Sequence, residues 1–220
     1  MLDKVSVLIP LSEDLGAREE SFRWVLRFYE TVMPEVEICL GMVDEKPFSR
    51  SQAINKAASM ATRDIFLIAD SDLIYDPKII EESIKYLETR KLILPLSKIN
   101  NLTKISSEEL LKTTPSWPIQ GNYESRQRVA GDGGLNIIRR EIFEQVGGFD
   151  ERFKGWGGED NAFQLSVRFL CGQPIRLQNT AYHFWHPKGD KTNYANNKKL
   201  YEAYLRGKVS ILNELEKRKN

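Results

Sequence analysis

The sequence predicts an α/β fold, a single domain in which a mostly parallel central sheet is flanked by helices. Apolar runs typical of buried strands alternate with segments whose apolar residues recur at helical spacing, as in parallel α/β sheets. The chain has 220 residues, 41% of them hydrophobic, so it can bury one substantial core and leaves little material for a second. We therefore expect one domain over residues 1–220.

The first half of the chain supplies most of this alternation. Buried strands are predicted over KVSVLIP, VEICLGMVDE, DIFLIADSD and KLILPLS, at residues 4–10, 36–45, 64–72 and 91–97. Helices are predicted between them, at residues 18–32, 49–61 and 76–88. Ligands of such sheets gather at the carboxyl ends of the strands, so the polar residues there are the first candidates for a site.

The second half is less regular. Residues 99–133 hold one predicted short helix and then turn-forming and polar residues, among which Trp117 and Tyr123 offer aromatic faces for binding. Regular elements resume with a strand at 134–140, helices at 140–146 and 161–172, and one or two strands at 174–186. The chain closes with one predicted terminal helix that presents Leu200, Tyr204, Leu205, Leu212 and Leu215.

Composition limits the classes of protein. The 32 basic and 31 acidic side chains leave a net charge of only +1, so no nucleic-acid partner is expected. Cys39 and Cys171 lie in apolar segments without CxxC spacing, which favours reduced thiols and a cytoplasmic location. No run approaches the roughly 18 apolar residues of a bilayer span, so no transmembrane segment is expected.

The sequence DSD, from Asp70 to Asp72, is a candidate metal site. Two carboxylates at the end of an apolar strand repel each other unless a cation or hydrogen-bond donors hold them. An Asx-turn is the simpler structural explanation for either residue.

The chain's two histidines, His183 and His186, fall within four residues. Either one alone is explained by a buried imidazole with satisfied hydrogen bonds, but their clustering favours a site. A neutral imidazole and carboxylate oxygens, completed by diphosphate oxygens, suit Mn²⁺ or Mg²⁺.

The sequence GWGGED, at 155–160, allows two interpretations. Its glycines and adjacent carboxylates fit a turn followed by an acidic first helical turn. They also fit a sugar-binding platform, because Trp156 offers an apolar stacking face and a neighbouring carboxylate can accept a proton.

Several of these segments together resemble a known family. GGFDERFKGWGGEDNAFQLSVRF, with IADSD before it and AYHFWH after it, resembles the inverting glycosyltransferases of the Rossmann-like GT-A fold. The similarity is greatest to β-1,4-galactosyltransferases and bacterial chondroitin-type polymerases, and it spans nearly the whole chain. It implies a metal-dependent enzyme that moves a hexose or N-acetylhexosamine from a UDP-sugar to a hydroxyl of a saccharide or glycoconjugate acceptor.

The resemblance also implies that successive segments of the chain have different binding roles. Residues 1–98 bind the nucleotide sugar, residues 99–190 bind the acceptor and carry the catalytic groups, and residues 191–220 form the C-terminal helix.

Residue roles follow from the same resemblance. Asp160 is the catalytic base beside Glu159, and the metal ligands are Asp72 with a histidine, Asp70 lying nearer the donor. AYH favours His183 and the following HPKGDK favours His186, so both are kept. The donor site comprises Pro10, Asp44, Phe48, Arg50, Asn55, Asp70 and Ser71. The acceptor site comprises Trp156, Gly157, Gly158, Glu159 and Gly134.

The sequence departs from the family at two points. Asn161 stands where galactosyltransferases have a third acid, and no stem region or membrane anchor is expected. The acceptor is therefore not implied.

Two other functions fit part of the pattern. A sugar-1-phosphate nucleotidyltransferase also uses an α/β sheet with metal-binding acids, but it needs a basic, glycine-rich loop after the first strand, where LIPLSEDLGAREE is acidic. A noncatalytic carbohydrate-binding protein needs the aromatic residues but neither the strand-end acids nor the histidines.

Overall fold

An eight-stranded sheet lies at the centre of the computed structural model, which describes residues 1–12, 15–187, 189 and 191–218. The strands are β1 (Val5–Ser12), β2 (Glu37–Val43), β3 (Ile65–Ala69), β4 (Leu73–Ile74), β5 (Leu92–Leu102), β6 (Ser125–Val129), β7 (Leu135–Arg139) and β8 (Ile175–His183). Their order in the sheet is β2-β1-β3-β7-β5-β8-β4, and β6 pairs with β5.

The α/β class and the single domain are confirmed, but the sheet is mixed where a mostly parallel one was predicted. Among the described strands, β1 is parallel to β2 and β3, and β5 is parallel to β8. The other four pairings are antiparallel. The alternation of strands and helices does not fix strand direction: the connection 103–124 contains the helix Lys104–Leu111, yet it returns the chain antiparallel to β5 in β6, and residues 130–134 lead on to β7.

Helices cover both faces of this sheet. They are α1 (Glu19–Val32), α2 (Arg50–Met60), α3 (Lys78–Tyr86), α4 (Lys104–Leu111), α5 (Arg140–Gln145), α6 (Glu159–Leu170), α7 (Tyr194–Leu205) and α8 (Lys208–Lys217). Apolar residues of α1 and α3 share one core with the sheet, and those of α2, α5 and α6 share the core on the opposite face. No described helix combines the length and the apolar character that crossing a bilayer requires.

Helix α2 lies directly against β2 because the strand has a glycine at the contact. A Cβ atom on Gly41 would lie 1.8 Å from the carbonyl oxygen of Ala53. At the start of α2 the Oγ of Ser49 accepts a hydrogen bond from the amide of Gln52 and donates one to the carbonyl of Phe153. This cap places Arg50, the first helical residue, beside the loop that precedes α6.

The segment 99–133 contains more regular structure than predicted. The predicted short helix is α4, which the side chain of Thr103 caps by accepting from the amide of Ser106. However, β5 continues to Leu102, and β6 pairs with it. Every residue of β6 is exposed, so it lacks the apolar alternation that would have identified it as a strand.

The prediction of a single terminal helix is wrong. Gly207, with a φ of 90°, separates α7 from α8. Leu205 and Leu212 are 55% and 44% exposed, whereas Tyr204, as predicted, and Ile211 are buried. Residues 219 and 220 of the predicted helix lie outside the described residues.

Candidate active site

The candidate metal centre is assembled by the short pairing of β4 with β8. β3 ends at Ala69, and Asp72 lies in the short connection to β4, just before Leu73 pairs with His183. This register brings the Oδ1 of Asp72 to 3.3 Å from the Nε2 of His183. The amide of Phe184 also donates to the carbonyl of Asp72, at 2.9 Å, which fixes the backbone of Asp72 against the end of β8.

His186 completes a group of three possible ligands. Its Nε2 lies 3.4 Å from the Oδ2 of Asp72. One ligand atom from each of Asp72, His183 and His186 lies within 4.8 Å of the other two. One carboxylate and two imidazoles form a donor set that fits a divalent transition metal such as Mn²⁺, and the structure keeps both histidines in that set.

Arg18 is a basic neighbour of this centre that sequence reasoning missed. Its Nε lies 3.6 Å from the Oδ2 of Asp72, and its Nη2 lies 3.2 Å from both ring nitrogens of His186. Its position after β1, where ligands of such sheets gather, was the available signal. The acidic residues around it concealed that signal, since they led us to treat the whole segment as acidic.

The charges around Asp72 perturb one another. Burial opposes the charge of Asp72, but His183 and Arg18 outweigh it and hold the pKa of this carboxyl below its usual range. Burial likewise opposes protonation of His183, yet Asp72 raises the pKa of this imidazole. For His186, burial prevails over Asp72 and lowers the pKa. A metal ion at this centre would compete with a proton for His183.

A second cluster joins Arg50 to two carboxylates from distant parts of the chain. Its Nε and Nη2 donate to the Oδ1 of Asp70 at 2.9 and 2.7 Å, and its Nη1 donates to the Oδ1 of Asp160 at 2.6 Å. The guanidinium side chain is 13% exposed, so these charge-assisted bonds are shielded from water. Arg50, predicted as a donor-site residue, thus lies between the strand-end acid Asp70 and the Asp160 of GWGGED.

Glu159 and Asp160 occupy the first turn of α6. Gly158 caps this helix in a left-handed conformation, with a φ of 98°, and Gly157 before it has a φ of 108°. The Oε2 of Glu159 is buried and accepts no hydrogen bond from any described residue. Burial, reinforced by the charge of Asp160, raises the pKa of Glu159 to about 7.

Asp160 is held differently from Glu159. Burial raises the pKa of Asp160, an effect that Arg50 opposes and Asp70 reinforces. Two glycines bring the loop before β7 close to these acids. A Cβ on Gly133 would lie 2.0 Å from the Oδ2 of Asp160, and one on Gly134 would lie 3.8 Å from the Oδ2 of Asp70.

A cleft of about 450 Å³ connects these groups. Asp70 and His183 line it together with Trp156, Glu159 and Asp160. Trp156 is 51% exposed, and the Nζ of Lys191 lies 4.4 Å from its ring centroid, so a ligand that stacks on the indole would share it with this side chain or displace it. The predicted acceptor-site residues Gly134, Gly157 and Gly158 also line this cleft.

Of the predicted donor residues, Asp70 lines this cleft and the others do not. Asp44 and Asn55 line a separate cavity of about 670 Å³ beside β2 and α2. Both ends of the Asn55 amide bond to the backbone of Phe149, its Nδ2 to the carbonyl and its Oδ1 from the amide. Pro10 is buried in β1, where it pairs with Gly41 of β2.

Two further donor residues lie close to the two clusters along the chain. Phe48 is half-buried and its carbonyl accepts from the amide of Gly155, at 2.9 Å, so it borders the GWGGED loop. Ser71 is buried between the two acids of the DSD sequence.

Other residues of the cleft were not singled out from the sequence. Asp132 accepts hydrogen bonds from Arg176 and Asn161, both at 2.6 Å. Tyr194, Lys198 and Tyr201 of α7 also line the cleft. These residues belong to no recognisable sequence motif, so only the fold shows that they lie at the site.

Two family models match overlapping segments of the chain. Residues 42–147 match the family described as glycosyl transferase family 2. Residues 119–188 match the family described as the N-terminal domain of galactosyltransferase. Each match covers less than half of the 220 residues. Both describe glycosyltransferases, which confirms the predicted resemblance and agrees with the predicted enzyme class.

Two curated relatives share shorter stretches. The O-antigen biosynthesis protein RfbC of Myxococcus xanthus is 27% identical over 154 residues, 62% of this chain and 12% of that protein. Beta-1,4-galactosyltransferase 7 of Drosophila melanogaster is 40% identical over 47 residues, 21% of this chain and 15% of that protein. The chain therefore corresponds to only a small part of the length of either relative.

Solved structures share the fold. The catalytic domain of Drosophila beta-1,4-galactosyltransferase 7 in complex with xylobiose has a TM-score of 0.59 and 20% identity, covering 90% of this chain and 79% of that one. A mutant of the same enzyme in complex with manganese, UDP-Gal and xylobiose has a TM-score of 0.54 and 20% identity, covering 87% and 72%. TarS of S. aureus has a TM-score of 0.55 and 12% identity, covering 90% and 39%. These likenesses confirm the predicted GT-A fold.

Proposed function

We propose that this chain, whose fold is that of the GT-A glycosyltransferases, is a metal-dependent inverting glycosyltransferase. Its donor is a UDP-sugar of the galactose, N-acetylgalactosamine or glucose type. Its acceptor is a hydroxyl of a saccharide or glycoconjugate, as in polysaccharide biosynthesis. The neighbouring enzyme complexed with manganese, UDP-Gal and xylobiose supports this choice of metal, donor and acceptor class.

One observation carries the proposal. A single cleft is lined at once by His183 of the possible metal centre and by Glu159 and Asp160 next to the exposed indole of Trp156. A glycosyl transfer needs both parts within one sugar's reach, because the leaving diphosphate must be neutralised while the acceptor hydroxyl loses its proton.

We assign the diphosphate side of the reaction to the cluster of Asp72, His183 and His186. Asp72, His183 and His186 would hold Mn²⁺ or Mg²⁺, which when bound neutralises charge that develops on the leaving diphosphate. Arg18 stands beside these ligands and contributes a second positive charge on the same side. Asp70, fixed by Arg50, lies next to them and faces the donor.

The acceptor side falls to the GWGGED loop. Asp160 takes the proton from the acceptor hydroxyl, and Arg50 orients its carboxylate through the 2.6 Å bond to Oδ1. Glu159 has a buried oxygen without a hydrogen-bond partner among the described residues, and a sugar hydroxyl would supply that partner. Trp156 stacks on the sugar.

The donor nucleotide is assigned to Pro10, Asp44, Phe48, Arg50, Asn55 and Ser71 by resemblance. Asn55 is the weakest member of this set, because its amide is already bonded to the turn at Phe149. The cytoplasmic location remains a proposal that rests on Cys39 and Cys171, which are both free thiols.

The test is UDP release from a panel of UDP-sugars with saccharide acceptors, with and without Mn²⁺, followed by the anomeric configuration of the product. We expect Mn²⁺-dependent release and a β-linked product from a UDP-α-sugar. A nucleotidyltransferase would instead form a sugar nucleotide from a sugar phosphate, and a binding protein would release no UDP. An α-linked product would contradict the inverting mechanism.

A further inference from the structure

Helix α7 forms a wall of the cleft. Tyr194, Lys198 and Tyr201 follow one another at spacings of four and three residues, so they share one helical face, and all three line the cleft. The rings of Trp156 and Tyr194 lie 5.5 Å apart at an interplanar angle of 31°. A Cβ on Gly157 would lie 3.2 Å from the Tyr194 ring, so α7 packs directly against the GWGGED loop.

This wall is fixed in place before any ligand binds. Asn197, on the neighbouring face of α7, is only 1% exposed. Its Nδ2 donates to the carbonyls of Lys154 and Trp156 at 3.0 and 3.3 Å, and its Oδ1 accepts from the amide of Lys154 at 3.3 Å. The cleft face of α7 is therefore preorganised relative to Trp156.

Lys198 is the cation of this face, and it has no hydrogen bond or ion pair with any described residue. The aspartates of the cleft, by contrast, are all engaged. Asp70 and Asp160 pair with Arg50, and Asp132 pairs with Arg176. An unpaired ammonium group between two tyrosines attracts an anion without having to break an internal ion pair.

The position of Lys198 favours the acceptor over the donor diphosphate. α7 packs on α6, α8 and the loop that carries Trp156, and none of these carries a candidate metal ligand. α7 also begins at Tyr194, beyond the last residue, 188, that either family model matches. This face is thus placed to recognise something particular to the substrate of this chain.

We propose that the Tyr194, Lys198 and Tyr201 face of α7 binds an anionic unit of the acceptor saccharide, with Lys198 pairing with its carboxylate or phosphate. The tyrosines supply apolar and hydroxyl contacts to the sugar ring, and Trp156 supports the adjoining ring. The inference rests on the proposed function, because it assigns the acceptor site of that same cleft.

The experiment measures binding of three disaccharides to the protein in the presence of Mn²⁺ and UDP. One ends in a uronate, the second in the matching neutral hexose, and the third in the hexose 6-phosphate. Calorimetry is run on the native chain, on Lys198→Gln, and on Lys199→Gln as a control from the adjacent exposed lysine, which does not line the cleft.

We expect the native chain and Lys199→Gln to bind one anionic disaccharide roughly 3- to 10-fold more tightly than the neutral one. Lys198→Gln should lose that preference while its affinity for the neutral sugar stays unchanged. The anion that gains more, carboxylate or phosphate, identifies the natural group. Equal binding of all three sugars, or a preference retained in Lys198→Gln, would overturn the proposal. Charge-dependent binding without UDP release from any donor would show that this face binds an anionic saccharide and would refute the proposed enzyme.

Discussion

Glu159 is the residue at which burial and charge conflict most directly. The start of α6 favours an anion there by about 0.3 to 1 kcal/mol. Burial and the neighbouring Asp160 nevertheless raise its pKa from 4.5 to about 7. The carboxyl therefore binds its proton more tightly in the folded chain than in the unfolded one, and folding stability depends on pH.

We predict that Glu159→Gln becomes more stable relative to the native chain as pH rises. Below about pH 4.5 the native carboxyl is protonated in both states, and its favourable contribution is fully present. Between pH 4.5 and about 7 that contribution is lost, which amounts to roughly 3 kcal/mol. Urea unfolding of the metal-free protein across this range measures it, with Glu202→Gln on the exposed side of α7 as the control. A difference between variant and native chain that does not change with pH would disprove the raised pKa.

At the residue scale the sequence identified candidate site residues but not the hydrogen bonds and ion pairs that they make. The strand-end acids, the clustered histidines and GWGGED were identified because their residue types are unusual in those places. Arg18 was missed since its neighbours are acidic, and Asn55 was assigned to the donor although it holds the turn at Phe149. The hydrogen-bond and ion-pair partners of a side chain depend on the folded structure, so they cannot be inferred from a local sequence pattern.

Helices α7 and α8 are joined by hydrogen bonds and ion pairs to the segment that contains the GWGGED loop. Besides Asn197, the hydroxyl of Tyr204 donates to Asp150 at 2.6 Å, and Arg152 bridges Asp150 and Glu214 at 2.7 and 2.8 Å. Asp150 and Glu214 are almost fully buried, so these bonds are sheltered from solvent. The C-terminal helices therefore position the residues that carry Trp156 and Asp160.

We predict that Asn197→Ala weakens acceptor use more than donor binding. The change removes the side-chain partners of the Lys154 amide and the Trp156 carbonyl, at a cost of about 1 to 3 kcal/mol per group, whereas the Lys154 carbonyl still accepts from Asn193. The acceptor KM should rise several-fold, while calorimetry shows an unchanged Kd for UDP with Mn²⁺. Asn196→Ala, which changes an exposed neighbour, should leave the acceptor KM as it is. Equal weakening of donor and acceptor would show a general loss of folding instead of positioning.

At the element scale, the elements with strong apolar periodicity were predictable. β1, β3 and α1 bury continuous or helically spaced apolar residues. β6 was missed because its five residues are all exposed, and the break at Gly207 was missed because apolar residues continue on both sides of it. In both places backbone pairing or a single left-handed glycine decides the structure, and side-chain hydrophobicity does not report either.

The whole molecule brings together residues far apart in sequence. Arg50 at the start of α2, Asp70 after β3, Asp160 at the start of α6 and His183 at the end of β8 all converge on one region of the mixed sheet. The α/β class was predictable from the alternation of elements. The antiparallel β7, which lies between β3 and β5, was not, because strand direction depends on the path of the connecting chain.

We propose that two separable clusters divide the reaction, with Asp72 on the metal and diphosphate side and Asp160 on the acceptor side. The most direct measurement pairs calorimetry of UDP with Mn²⁺ and steady-state turnover for Asp72→Ala and Asp160→Asn. We predict that Asp72→Ala loses metal-dependent UDP binding. Asp160→Asn should keep that binding, while its turnover falls by roughly 10² to 10⁴ because the amide cannot accept the proton. Unchanged metal-dependent UDP binding in Asp72→Ala, or near-native turnover in Asp160→Asn, would contradict the account.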